Sequence, residues 1–252
     1  MWSERQAVEV FHLVFLRTFG SRVDKALFAV KGGCNLRFFL RSVRYSEDMD
    51  LDVRTMSMGT LANNVDRVLE SDSFLHTLRS QQIEIEQVSK PKQTRTTQRW
   101  KVALRVGVAQ TSVPTKIEYS RRDFDAEPAL EPVNAEVVRH YRLYSVLFPH
   151  YTAQVALGQK IAALALRSQT QARDVFDLKV LLDSGAGRDP LTASAVAQLP
   201  SAIENAMTLG YDEFAGQVLA YLEPAHQADY RSRAVWEGLQ AEVINALEAL
   251  RA

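Results

Sequence analysis

Lys31-Gly32-Gly33-Cys34-Asn35-Leu36, followed after a short interval by Ser46-Glu47-Asp48-Met49-Asp50-Leu51-Asp52, is the stretch that decides how this chain folds. In an extended strand successive side chains alternate between faces, so Asp48, Asp50 and Asp52 point one way while Met49, Leu51 and Val53 point the other, into a core. Upstream, residues 26–30 read as a short buried strand running into the Gly32-Gly33 turn, and residues 35–40 as the start of a helix. Strand, glycine turn and helix is the order in which backbone N–H groups cradle phosphate. Three carboxylates on one face repel one another, and a fold keeps them where a cation neutralises them. Magnesium, with manganese as its substitute, is the simplest such ion because it binds through oxygen. Asp48 and Asp50 are the expected metal ligands and Asp52 a strand-end residue. A phosphate-holding turn beside paired metal-binding acids is what nucleotidyl transfer requires.

Length and composition frame that reading. With 252 residues and 46% hydrophobic content, the chain can bury a sizeable core as one large domain or two small ones. Thirty basic and thirty acidic residues give a formal net charge of zero, so there is no global basic field of the kind that draws nucleic acid nonspecifically, and any such contact is a local patch. The single cysteine, Cys34, excludes an intramolecular disulfide and a cysteine-rich zinc site, and suits a reducing compartment. No apolar run reaches membrane-spanning length, and the N-terminal residues read as a helix and not as a signal peptide. A cytoplasmic protein with no membrane partner is expected.

Two halves follow from the pattern. Apolar residues at Val8, Val10, Phe11, Val14, Phe15 and Phe19 predict an amphipathic first helix. A helix is expected over 60–69, and period-two alternation predicts strands over 83–88, 100–108 and 115–120, with residues 89–99 as an exposed basic hairpin loop. Beyond Pro132 strand signals stop and helices are expected over 153–167, 171–182, 192–197, 211–222 and 230–250. Pro128, Pro132 and Pro149 place the boundary near 125–145. The fold class is α+β: a mixed-sheet domain over 1–135 and a helical domain over 136–252.

The strand 115–120 supplies a third acid. Ile117 and Tyr119 face the core, which leaves Lys116 and Glu118 on the opposite side. Glu118 is available to complete a metal site with Asp48 and Asp50, where ions clamped by three acids hold a nucleoside triphosphate and activate an attacking hydroxyl for in-line displacement. In the helical half, Lys160, Ala163 and Arg167 share a face, and Arg173, Asp174 and Asp177 share another. Lys160 suits phosphate as a point charge. The arginines either reach a triphosphate or staple two helices through Asp174 and Asp177. Arg121 and Arg122, just past the Glu118 strand, are candidates for an anionic acceptor. The five histidines show no metal-ligand spacing, and Phe214 and Trp236 read as core residues.

The blocks Lys31-Gly32-Gly33 with Leu36, Arg44-Tyr45-Ser46-Glu47-Asp48-Met49-Asp50, Lys116-Ile117-Glu118, and Lys160 to Leu164 with Arg167 and Arg173 to Leu178 occur in the order found in one family. The chain resembles the AbiEii/AbiGii nucleotidyltransferase toxins of the polymerase-beta-like superfamily, which act in toxin–antitoxin and phage-defence systems. The resemblance spans most of residues 25–185 and leaves the last stretch without a motif. It implies a magnesium-dependent transfer of a nucleoside monophosphate from an NTP. Asp48, Asp50 and Glu118 would hold metal, while Lys31, Gly32, Gly33, Asn35, Ser46, Lys160 and Arg167 would contact the nucleotide phosphates. Lys160 would neutralise triphosphate charge and Asp174 would orient Lys160 or the acceptor. The tRNA 3′ end is the implied acceptor and a cognate antitoxin the implied partner. Cys34 departs from the hydroxyl residue usual after the paired glycines, and its thiol is a weaker donor to phosphate; Asn35 is the expected substitute through its amide. Two other readings stay open: nucleotidylation of a protein or small molecule, and a non-catalytic interaction protein that retains the fold.

Overall fold

Apolar alternation along Met49, Leu51 and Val53 forms strand β2 (Asp48–Val53), with all three side chains buried. The computed structural model describes residues 2–107, 112–124 and 126–251. Around β2 are β1 (Phe28–Lys31), β3 (Ile83–Gln93), β4 (Thr97–Val106), β5 (Val113–Arg121), β6 (Ala129–Pro132) and β7 (Leu147–His150). They form one sheet in the order β3-β4-β5-β2-β1-β7-β6. β2 runs antiparallel to β1 and parallel to β5, so the α+β expectation holds.

The chain forms two units. One is the chain up to Phe39 with Tyr45–His150; the other is Leu40–Arg44 with the chain from Tyr151 onward. The first extends past the proline-rich stretch where strand signals were expected to stop, because β7 pairs with β1 and carries β6 with it. Both strands are four residues long, too short to show a period in sequence.

Helix α1 (Glu4–Gly20) begins at a capping box in which Ser3 accepts from the Gln6 N–H and the Gln6 side chain accepts from the Ser3 N–H. Such a cap contributes about 1 kcal/mol. The expected amphipathic stripe is wider than predicted: even Glu9 and His12 are buried. Glu9 is held by Arg37 at 2.6 Å and by the Tyr141 hydroxyl at 2.5 Å, since a buried carboxylate must be paired. Helices α3 (Met58–Leu69) and α4 (Asp72–Ser80) pack beside α1 on the apolar side of the sheet, where Phe11, Phe15 and Phe74 interlock edge-to-face. Sequence periodicity missed α4.

Several boundaries differ from expectation. The strand predicted at 26–30 starts as a 3-10 turn (Lys25–Leu27), and the helix expected from Asn35 is α2 (Gly32–Phe38). The expected loop 89–99 is mostly strand, since β3 and β4 continue through it to a turn at 94–96. Polar residues dominate there, Lys90, Lys92, Arg95 and Arg99 among Ser, Thr and Gln, because this is the sheet's outer ribbon, where most side chains face water. The expected end at Val108 lies outside the described residues.

The second unit is helical: α6 (Ala153–Leu166), α7 (Ala172–Asp183), α8 (Ala193–Met207), α9 (Tyr211–Gln217), α10 (Pro224–Gln227) and α11 (Arg233–Ala249), α5 (Ala135–His140) belonging to the first. α8 runs well past the expected stop at 197 and contains Pro200. Phe214 stacks on Trp236 at 4.7 Å between ring centres, both buried, as core residues.

One buried chain of hydrogen bonds ties α1 to the start of β2. Thr115 Oγ1 donates to the Glu47 carbonyl at 2.6 Å, so it accepts from His12 Nε2 at 2.9 Å. His12 Nδ1 then faces the Cys34 sulfur at 3.6 Å. Burial pushes the His12 pKa down to about 3 from an ordinary 6.5, because a charged imidazole is disfavoured away from water. Between those values the unfolded chain binds a proton that the native protein does not, so stability rises with pH across that window. The expected loss from this residue between pH 7 and pH 5 is about 2 kcal/mol, read from urea unfolding of the wild type at each pH. His12→Gln, which cannot titrate, should flatten that part of the slope; an unchanged slope would show that His12 is not its source.

Candidate active site

The register of β2 against its neighbours sets the polar face of the sheet. Asp48 lies opposite Lys116 and Asp50 opposite Glu118 on β5, Lys31 lies opposite Asp50 on β1, and Arg99 lies opposite Glu118 on β4. Paired residues share a face, so Asp48, Asp50 and Glu118 stand together on the side opposite the helices.

Their partners differ. Asp48 is bridged by Lys116 at 2.8 Å, and Glu118 by Arg99 at 2.5 Å. Asp52 is wholly buried and bonded by Lys31 at 2.6 Å and Arg122 at 3.2 Å; Lys31 also donates to the Ser120 hydroxyl at 2.8 Å. Asp50 forms no ion pair or side-chain hydrogen bond among the described residues. Its pKa is raised, first by burial, with Lys31 and Lys116 opposing and the neighbouring Asp48 and Glu118 adding to the rise. A half-buried carboxylate flanked by two others is a place where a cation is stabilising.

The glycine turn meets this acid directly. Gly32 has φ +65°, and a β-carbon there would come within 3.0 Å of Asp50 Oδ2. A side chain at 32 would therefore be strained in the backbone and would occupy the space beside the carboxylate.

The rest of the turn faces inward. Cys34 is buried, with Sγ 3.3 Å from the Asp48 carbonyl, and burial first, then Asp50, pushes its thiol pKa well up. Ser46 donates to the same carbonyl at 2.8 Å. Asn35, expected to replace a hydroxyl at phosphate, is wholly buried with Oδ1 2.9 Å from His150 Nδ1. Position 34 thus braces the backbone that presents Asp48, and a thiol meets that need as a small buried group. Arg121, expected at the acceptor, donates to the Met56 carbonyl and to Gln98.

Among the described residues no set of three or more acidic, histidine or cysteine side chains converges on a common point for a metal ion. Magnesium characteristically takes only one or two protein carboxylates and completes its shell with water and substrate phosphates. Asp48 and Asp50, two residues apart on one face, match that demand. The donor set fits the ion.

The second unit holds a separate buried charge network. Lys160 on α6 lies 2.9 Å from Asp174 and 2.6 Å from Asp177 on α7. Arg167 binds Asp174 at 2.8 Å, and Arg44 binds Asp177 at 2.9 Å. Burial lowers the Lys160 pKa, but Asp177 and Asp174 outweigh it and the net shift is upward. Burial likewise raises Asp174, and Lys160 and Arg167 reverse it to a net fall. Stapling of α6 to α7, one of the two sequence readings for the arginines, is what Arg167 does here. The role of Arg44 was not visible in sequence, since it is brought to Asp177 by the chain passing through Leu40–Arg44. Of the missed residues, Arg99 had a signal: alternation along β4 puts it opposite Trp100 and therefore on the acid face.

A family model described as the nucleotidyl transferase AbiEii toxin of a type IV TA system matches residues 14–244. Two solved structures carry the same fold. JHP933 from Helicobacter pylori aligns over 100% of this chain and 93% of its own at 16% identity and a TM-score of 0.66. MenT4, a nucleotidyltransferase toxin from Mycobacterium tuberculosis H37Rv, aligns over 100% and 96% at 16% identity and a TM-score of 0.59. No curated protein sequence matches the chain.

Gly32→Ala should lower stability by about 1–2 kcal/mol from the left-handed backbone alone and weaken manganese binding by displacing the Asp50 carboxylate. Gly59→Ala, with nothing within 4 Å of the new β-carbon, should do neither. Equal manganese affinity in the Gly32 and Gly59 variants, by titration calorimetry, would contradict the placement.

Proposed function

The chain belongs to the AbiEii family of nucleotidyl transferase toxins of type IV toxin–antitoxin systems, and from that premise we propose that it transfers a nucleoside monophosphate from an NTP to an acceptor, the tRNA 3′ end, using magnesium held by Asp48 and Asp50. The observation that carries this reading is Asp50: a half-buried acid between two other acids, without an ion pair among the described residues, against a glycine that leaves space beside it.

When bound, magnesium supplies charge neutralisation for the transferring phosphoryl group and its leaving pyrophosphate. The protein's own part is positional. Asp48 and Asp50 fix the ion, and Glu118, in register with Asp50, is the third acid once Arg99 yields it. The turn at Gly32 and Gly33 offers backbone N–H groups to phosphate, and Ser46 keeps the Asp48 backbone in place. In the second unit three cations, Arg44, Lys160 and Arg167, meet two carboxylates, Asp174 and Asp177. That surplus positive charge suits a triphosphate, with Lys160 as the neutralising group and Asp174 orienting it.

No helix of the described residues is long and apolar enough to cross a membrane. A cytoplasmic site of action, a role in phage defence and a cognate antitoxin encoded alongside complete the proposal; the antitoxin follows from the family.

Incubation with each radiolabelled triphosphate, magnesium and total RNA should label a tRNA-sized band. Asp48→Asn and Asp50→Asn should each reduce the rate by at least about a thousandfold, since removal of a metal ligand forfeits several kcal/mol of transition-state stabilisation. Lys160→Ala should raise the KM for the triphosphate. Label on protein in place of RNA would redirect the acceptor assignment, and no label with any triphosphate would sink the reading.

A further inference from the structure

A cavity of about 390 Å³ opens on the polar sheet face immediately beside Asp48, lined among others by Gln87, Ser89, Lys101, Thr115 and Lys116. It lies wholly within the first unit and spans β3, β4 and β5. Its volume is that of a small-ligand site; Val102, Ala103 and Pro114 contribute apolar wall, and Lys101, Lys116, Glu47 and Asp48 bring charge of both signs to it.

Lys101 and Lys116 occupy directly opposed positions on β4 and β5. Such pairs place their β-carbons about 5 Å apart, and like charges so placed repel. The repulsion is muted here because Lys116 is bridged to Asp48. Lys101 is exposed and has no ion pair among the described residues. The cation row continues outward: Ser89 opposes Lys101, and Lys92 opposes Arg99, so Lys92, Arg99 and Lys101 share the face that carries Asp48 and Asp50.

We propose that Lys101 and Lys116 clamp a backbone phosphate of a single-stranded RNA acceptor in this cavity, and that a cation on Asp48 arms the clamp by releasing Lys116. The proposal rests on the nucleotidyl-transfer reading and adds to it the acceptor's location and an order of events. Lys116 engages Asp48 through Oδ2, and a divalent ion on the same carboxylate weakens that pair because the ion repels the ammonium. Once drawn off Asp48, Lys116 stands beside Lys101 with Glu47 on the cavity wall and Asp50 as the neighbouring carboxylates, and an anion bridging the two ammonium groups removes their mutual repulsion. Lys101 and Lys92, with Arg99 between them held by Glu118, space positive charge from the acids toward the β3–β4 turn as the phosphates of a flexible strand are spaced, and neutralising those phosphates releases counterions. A protein hydroxyl acceptor has no such repeat.

The test is equilibrium binding of a fluorescein-labelled single-stranded RNA oligonucleotide, followed by anisotropy across a salt series, with no triphosphate present. In chelator, Asp48→Asn should bind several-fold more tightly than wild type, because it frees Lys116 as the ion does. That gain should vanish in the Asp48→Asn/Lys116→Ala double variant, the cycle isolating the coupling between the two side chains. Lys101→Ala, tested in the Asp48→Asn background, should weaken binding about tenfold and lower the salt slope by about one, while Lys101→Arg retains both. Unchanged affinity and slope in Lys101→Ala, a gain from Asp48→Asn that persists without Lys116, or no RNA binding by any form would each overturn the proposal. Failure of nucleotide transfer is scored separately, on wild type with labelled triphosphate, so loss of the functional reading and loss of the clamp are distinguishable.

Discussion

Parallel pairing of β2 with β5 is the constraint on which the chemistry of the first unit depends. Because side chains alternate along a strand, the register that sets Asp48 against Lys116 and Asp50 against Glu118 also sets Met49 against Ile117 and Leu51 against Tyr119 in the core. A slip of one residue would send the carboxylates into the apolar layer and the apolar residues to the polar face. Each fully buried side chain of this kind is stabilised by about 1.5–3 kcal/mol relative to exposure. Core burial therefore enforces the geometry of the acids, and the site needs no separate scaffold.

The same logic explains the buried polar chain behind the site. His12, Thr115 and the Glu47 carbonyl are linked in series, and the Asp48 carbonyl accepts from both Cys34 and Ser46. These bonds fix the backbone at the point where β2 begins, so that Asp48 and Asp50 start from a rigid frame. Their cost is a histidine that must stay neutral. The second unit pairs its buried charges instead: removing one partner of the Lys160 network would leave an uncompensated charge, which is far more costly than the network's net contribution.

Much of this was legible in the sequence because it rests on short-range periodicity. Alternation at residues 48–53 gave the strand and the shared face of its acids, and alternation at 115–120 placed Glu118 on that face. The glycine turn was visible as a pair of residues, but its close approach to Asp50 was not, since that depends on β1 pairing with β2. Partners were hidden for the same reason: Arg99 for Glu118, Lys31 for Asp52 and Arg44 for Asp177 are separated in the chain and meet only through sheet register or loop path. Cys34 and Asn35 were misjudged because a residue's place in a motif does not reveal which way its side chain turns within a short helix. β6 and β7 were missed because their four residues each carry prolines and no repeat, and the pairing with β1 that defines β7 is non-local.

The central claim is that Asp48 and Asp50 jointly bind a divalent cation beside the Gly32 turn. Crystals grown with manganese and a non-hydrolysable triphosphate, measured at the manganese edge, test it most directly. The account predicts an anomalous peak about 2.1–2.2 Å from an oxygen of each carboxylate, with the Lys116 ammonium drawn away from Asp48. A fully occupied triphosphate with no manganese between these two side chains, and Lys116 still bridging Asp48, would contradict it.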